Sequence, residues 1–168
     1  MIRSILFSSC MVSALFVTTL SEAQDADYSD QDGVVQVSST DLKVAAAKTE
    51  ALKSLPAILA KVDKPPKGWS DISFKVDFPV GDNGSEFMWV AYLERKDGAF
   101  KGVLSNDPQY VDYAAFGDVV QFERDQIIDW QYSKDGKLHG HYTTRAILDN
   151  MDAATQIQIL AMLSETPE

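Results

Sequence analysis

Ile72-Ser73-Phe74-Lys75-Val76-Asp77-Phe78 alternates apolar and polar side chains at every step. Period-two alternation marks a strand with one face in a core and the other towards water, so this stretch commits the chain to a sheet. The theme continues downstream. Gly81-Asp82-Asn83-Gly84 is a turn, and Phe87-Met88-Trp89-Val90-Ala91-Tyr92-Leu93 is apolar at both parities, as expected of a central strand covered on both faces. Lys96-Asp97-Gly98 turns into Phe100 to Leu104. Asn106-Asp107-Pro108 stops that strand, because proline has no N–H to give a ladder, and Gly117-Asp118 opens another over Val119 to Phe122. Two more strands flank Ser133 to Lys137.

Upstream the period is helical. Thr40-Asp41 can cap a helix reaching about Lys53, with Leu42, Ala45, Ala46, Thr49 and Leu52 on one stripe. Ser54-Leu55-Pro56 is expected to restart it as a second short helix to about Val62, since proline suits a first turn and not an interior. Pro65-Pro66-Lys67-Gly68 ends the helical region. At the far end Asn150 or Asp152 caps a closing helix carrying Ile157, Leu160 and Ala161. The fold class is therefore α+β: an N-terminal helix or helix pair, a strongly twisted antiparallel sheet of five to six strands, open or curled into a partial barrel, and a short C-terminal helix.

The outermost segments concern address rather than fold. Arg3 followed by the uncharged, mostly apolar run Ile5 to Leu20 and by Ser21-Glu22-Ala23 fits a signal peptide over residues 1–23, with a mature start at Gln24. The run is short for a spanning helix, and Cys10 has most of it still ahead, which argues against lipidation. Cleavage deletes the only cysteine, so the exported chain has neither disulfide nor thiolate ligand. Residues 24–38, with Asp25, Asp27, Asp30 and Asp32, read as a flexible acidic leader. Asp30-Gln31-Asp32-Gly33 opens like a calcium loop, but Tyr28 and Ser39 stand where carboxylates would be needed. Residues 39–168 form the single α+β domain.

A formal net charge of −10 repels phosphate backbones and anionic lipid heads. Neither nucleic acid nor, after signal cleavage, a membrane is an expected partner. The expectation is a periplasmic monomer without cofactor.

Two registers compete in the hairpin around Asp135-Gly136. A two-residue turn pairs Lys134 with Lys137, like charge against like, and sets Trp130 beside His141 and Tyr132 beside His139. A three-residue loop with Gly136 in a G1 bulge instead faces Tyr132 with Leu138, Trp130 with Gly140 and Ile128 with Tyr142. Its other face collects Gln131/His139, Asp129/His141, Ile127/Thr143 and Asp125/Arg145. The apolar pattern favours the three-residue loop, which gives Gly140 the task of making room for the Trp130 indole.

Asp129, Gln131, His139, His141 and Arg145 are then the candidate ligand- or partner-binding residues, on one polar sheet face. His139, His141 and Asp129 are weak candidate metal ligands, and His141 with Asp129 a candidate acid–base pair in which the carboxylate raises the histidine pKa. The bland reading is a solvated face with ordinary cross-strand pairs. Thr143 lies nearby, but GxSxG, HExxH, Walker and GxGxxG patterns are absent. Trp69, Trp89 and Trp130 could line a groove; Trp89 and Trp130 read better as core, and Trp69 as partly exposed.

Five ordered segments carry a resemblance: Glu86-Phe87-Met88-Trp89-Val90, Gly102 to Pro108, Gly117-Asp118-Val119-Val120, Ile128-Asp129-Trp130-Gln131-Tyr132 and Gly136 to Arg145. Over about residues 40 to 150 the chain resembles the bacterial YegJ-like family, domain of unknown function 2314. That resemblance implies export and a bacterial periplasmic home, and it names no activity, catalytic residue or cofactor. The function expected is a non-enzymatic exported protein binding a protein or small ligand through the polar face of its C-terminal hairpin. An immunity-like inhibitor masking a basic toxin, or a metal-dependent or acid–base enzyme using His141 and Asp129, are the alternatives.

Overall fold

In the computed structural model, residues 42–82 and 84–168 are described. The expected signal peptide, the acidic leader with its calcium-loop-like stretch and the Thr40-Asp41 cap lie outside them. The described part runs α1 (Leu42–Leu59), β1 (Ser70–Val80), β2 (Gly84–Lys96), β3 (Ala99–Leu104), β4 (Val119–Phe122), β5 (Ile127–Lys134), β6 (Lys137–Gly140), α2 (Tyr142–Ala146) and α3 (Ala153–Met162). The fold is α+β. The strands form one antiparallel sheet in the order β4-β3-β2-β1-β5-β6, open rather than closed into a barrel.

The alternation at 72–78 does what period two demands. Phe74, Val76 and Phe78 are buried on one face, beside Met88 and Val90 of β2, Phe100 and Leu104 of β3, Phe122 of β4, and Ile127, Trp130 and Tyr132 of β5. Helix α1 lies over this face through Ala51, Leu55, Ile58 and Leu59. Each large side chain so buried contributes about 1.5–3 kcal/mol from apolar surface withdrawn from water.

Two expectations are corrected here. First, α1 is a single helix with Pro56 inside it, not a pair. Proline deprives the Leu52 carbonyl of its usual N–H donor, and Leu52 lies on the helix's exposed side, where water can serve that carbonyl. Because the helix continues, its inward stripe is set by Leu55, Ile58 and Leu59. The stripe running back through Ala51 excludes Leu42, which is 84% exposed. Second, β2 is central in the sheet but not covered on both faces: Phe87, of opposite parity to buried Met88 and Val90, is exposed on the side away from α1, and Leu93, at a bulge, is exposed too. The closing helix is found as expected: α3 is capped by Asp152, whose carboxylate accepts from the amides of Ala154 and Thr155, while Ile157 and Leu160 are exposed and no α3 residue is buried.

The long connection between β3 and β4 is fastened by Glu86. Its carboxylate accepts from three successive amides, Gln109 at 2.7 Å, Tyr110 at 3.0 Å and Val111 at 2.9 Å, and Val111 thereby enters the core. At the other side of the sheet the chain after α3 covers the β6 edge. Leu163 bridges Leu138, Ser164 N–H donates to the Leu138 carbonyl, and Gly140 N–H donates to that of Pro167.

Candidate functional site

The β5–β6 hairpin takes the two-residue turn, not the three-residue loop. Tyr132 pairs with His139, Ser133 with Leu138, Lys134 with Lys137, and Gln131 rather than Trp130 with Gly140. Asp135 and Gly136 both have positive φ, 52° and 74°, the paired left-handed residues of a type I′ turn whose twist matches the flanking strands. That match and the parallel stacking of Tyr132 on His139, with ring centroids 4.8 Å apart, outweigh the repulsion of the two lysines.

Gly140 still does what was expected of it, by a different route. A Cβ there would lie 2.0 Å from the Trp130 carbonyl oxygen and 2.7 Å from the indole ring, so only glycine fits. Immediately beyond it His141 adopts a left-handed conformation at φ 55°, donates its amide to the Trp130 carbonyl, and turns the chain out of β6 into α2. The pairs Ile128/Tyr142, Ile127/Thr143, Asp129/His141 and Asp125/Arg145 therefore do not form. Their second members lie in or beside a helix that strand reasoning missed.

This turn separates the five candidate residues into two environments. Asp129 is fully buried on the face of the sheet away from α1. Its Oδ1 accepts from the amides of Trp130 (2.8 Å) and Tyr142 (3.3 Å), and its Oδ2 from the amide and hydroxyl of Thr143, both at 2.7 Å. Lys75, its register partner on β1, donates to the Thr143 hydroxyl at 3.1 Å and lies 5.1 Å from the Trp89 ring centre. Burial pushes the Asp129 carboxyl up, against the pull of these donors and of Lys75; burial likewise pushes the Lys75 amine down. With four donors on two oxygens, Asp129 is the bolt that holds α2 to β5, and it has no lone pair to spare for a metal or a proton relay.

His141 does not touch it. The imidazole packs against Trp89, centroids 4.8 Å apart, with Nδ1 near the Thr144 hydroxyl and Nε2 buried without a partner. Its pKa is pushed down to about 3, first by burial and then by the Lys75 and Arg145 charges. The expectation of a raised His141 pKa through Asp129 is thus reversed, because the carboxylate is spent on α2 amides while the ring is left among apolar surface and cations. Gln131, half-buried, shares this face of the sheet.

His139 and Arg145 stand elsewhere. His139, opposite Tyr132, projects on the α1 side, so the two imidazoles leave the chain on opposite faces. Among the described residues no three His, Asp, Glu or Cys side chains could share a metal ion. His139 and Arg145 line an open groove of about 720 Å³ together with Lys134, Lys137, Leu160 and Glu165. Arg145 is braced by neutral acceptors, the Gly140 carbonyl through Nε (2.9 Å) and the carbonyl and hydroxyl of Ser164 through Nη2 (2.9 and 3.1 Å). Lys137 reaches the carbonyl of Ala161. Among the described residues neither they nor Lys134 is in an ion pair, and Nδ1 of His139 is buried without a partner. Burial and the charges of Lys134 and Arg145 hold His139 below its ordinary pKa. Sequence reasoning missed Lys134 and Lys137 because it treated their opposition as a reason to reject the register. That same clash was the available signal.

Of the tryptophans, Trp130 is core, its indole N–H donating to the Ala51 carbonyl and the Ser54 hydroxyl. Trp69 is half-buried and stacked on Tyr132 at 3.6 Å, and Trp89 is half-buried beneath Lys75.

This α+β domain, with its sheet bolted to a short helix after an Asp-Gly hairpin, belongs to a bacterial family described as "Uncharacterized protein conserved in bacteria (DUF2314)", whose profile matches residues 41–162. A relative within reach is the "Uncharacterized protein YegJ" of Escherichia coli (strain K12), 29% identical over 139 residues, covering 82% of this chain and 85% of that protein. No solved structure matches.

Proposed function

We propose that the chain is an exported, non-enzymatic protein that binds a small molecule or a partner protein through the groove on its C-terminal hairpin. One observation carries the reading: Lys134, Lys137, Arg145 and His139 converge on one open groove without an ion-paired carboxylate among the described residues, in a chain of net charge −10. Positive charge concentrated against the sign of the whole molecule, at a strand register that repels itself, is a local conflict of the kind found where a site serves something other than stability. The surface expected from the sequence is thereby redrawn. His139 and Arg145 remain in it, Lys134 and Lys137 join it, and Asp129, His141 and Gln131 leave it.

The export half rests on Arg3, the apolar run to Leu20 and the Ser21-Glu22-Ala23 junction. The chain recovered from a periplasmic fraction is expected to begin at Gln24; recovery only from the cytoplasm with its first segment intact would overturn export. For binding, a photo-crosslinking amino acid placed at Lys134 in cells is expected to give a discrete adduct that the same group at exposed Lys67 does not give. Identical patterns at the two positions would refute the groove.

The geometry disfavours both alternatives. An inhibitor masking a basic toxin would offer mainly carboxylates at its contact surface, and this groove sets three cations against two carboxylates. An acid–base enzyme built on His141 and Asp129 needs contact between them, and each faces other groups.

A further inference from the structure

The groove's chemistry narrows what it holds. Its rim presents three permanent cations, Lys134, Lys137 and Arg145, against two carboxylates, Asp135 and Glu165, neither within ion-pairing distance of any of them. Nε and Nη2 of Arg145 are spent on Gly140 and Ser164, which hold the guanidinium in place; Nη1 makes no hydrogen bond among the described residues. A fixed guanidinium with free donors beside two lysines is suited to an oxyanion. The wall is not polar, however. Leu160, 52% exposed, lies along the groove, with buried Leu163 beneath. A volume of about 720 Å³ far exceeds what a bare phosphate or acetate would occupy.

We propose that the groove takes an anionic amphiphile, its carboxylate or phosphate head held between Lys134, Lys137 and Arg145 and its apolar body laid along Leu160. This rests on the binding reading above and gives its ligand a class. His139 supplies the internal reporter. Its imidazole lines the same groove, and burial first, then the charges of Lys134 and Arg145, hold its pKa down; an anion between those two cations offsets their charge and lets that pKa rise.

The test is a histidine NMR titration of the signal-cleaved chain with octanoate, octyl phosphate, acetate and octanol, His139→Gln assigning the resonances. Octanoate or octyl phosphate is expected to shift the His139 signals saturably and raise the His139 pKa, and the tighter of the two identifies the head group. Acetate lacks the tail and octanol the charge, so neither is expected to saturate over the same range. Lys134→Gln is expected to weaken binding about fivefold, the loss of roughly one charge contact. Because Lys134 makes no side-chain hydrogen bond or ion pair among the described residues and faces Lys137, the same substitution should leave the thermal midpoint unchanged or higher. Weaker binding in a chain no less stable separates a site from mere surface charge.

Failure of both charged probes to saturate would overturn the proposal, as would acetate or octanol matching them, or Lys134→Gln binding like the parent. If the probes fail while crosslinking at Lys134 still yields its adduct, the ligand class falls and the binding reading stands. If both fail, both fall.

Discussion

Two clusters of charge sit within one β-hairpin and its following helix, and they are built on opposite terms. Around Asp129 each oxygen is matched by donors, Lys75 faces the carboxylate through the Thr143 hydroxyl, and Asp129 and Thr143 are buried. Around Lys134 and Lys137 like charges face each other in the open, and a buried imidazole nitrogen has no partner. A satisfied buried network specifies architecture; an unsatisfied open one is a place where something outside the fold can supply the missing contacts. Asp129, one of the two residues that look most like chemistry in the sequence, belongs to the first kind; the other, His141, is packed on Trp89 with its Nε2 unpartnered among the described residues and belongs to neither.

The strongest way to break this contrast is at Asp129. Asp129→Ala strands three amides, the Thr143 hydroxyl and the Lys75 charge in a buried site, and should cost about 3–5 kcal/mol in urea unfolding. A loss under 1 kcal/mol would mean that α2 is not bolted through this carboxylate. Next comes Gly140→Ala, which forces a Cβ against the Trp130 carbonyl at a left-handed φ of 79° and is expected to cost about 2–4 kcal/mol, read by the same assay.

His141 gives a pH signature. Its folded pKa lies below its unfolded value, so the unfolded chain takes the proton first; the stability it allows is complete above about pH 6.5 and is lost as pH falls towards 3. Between those limits the slope is about 1.4 kcal/mol per pH unit. His139 and Asp129 titrate in parent and variant alike, so His141→Gln should flatten the profile by the His141 share alone. Parallel profiles for parent and variant would contradict the burial of that ring. The smallest effect is the most telling for the groove: Lys134→Gln should stabilise the apo protein by about 0.2–1 kcal/mol, by relieving a directly opposed pair. A destabilisation would show that Lys134 has an internal partner.

The parts of the fold legible in the sequence are those set by local periodicity and turn chemistry. Ile72 to Phe78 alternates and forms β1, Asp97-Gly98 and Asp135-Gly136 turn, and Asp152 caps α3. What could not be read depends on comparing energies between distant groups. Weighing Lys134 against Lys137 needed the value of the Tyr132–His139 stack. Continuing α1 through Pro56 needed the inward packing of Leu55, Ile58 and Leu59 upon the sheet. The exit from β6 turned on His141 accepting a left-handed φ, uncommon in a non-glycine residue. That single backbone angle converted an expected polar face into a buried bolt on one side and an open groove on the other.

The segment that follows α3 has a consequence for assembly. By docking on β6 at Leu138 and Gly140 it occupies the backbone groups that a stray extended peptide would otherwise recruit, leaving four-residue β4 as the flank strand unpaired on one side among the described residues. Trimming the chain back to Met162 would expose a second such flank beside the groove, and self-association through it should then rise with concentration.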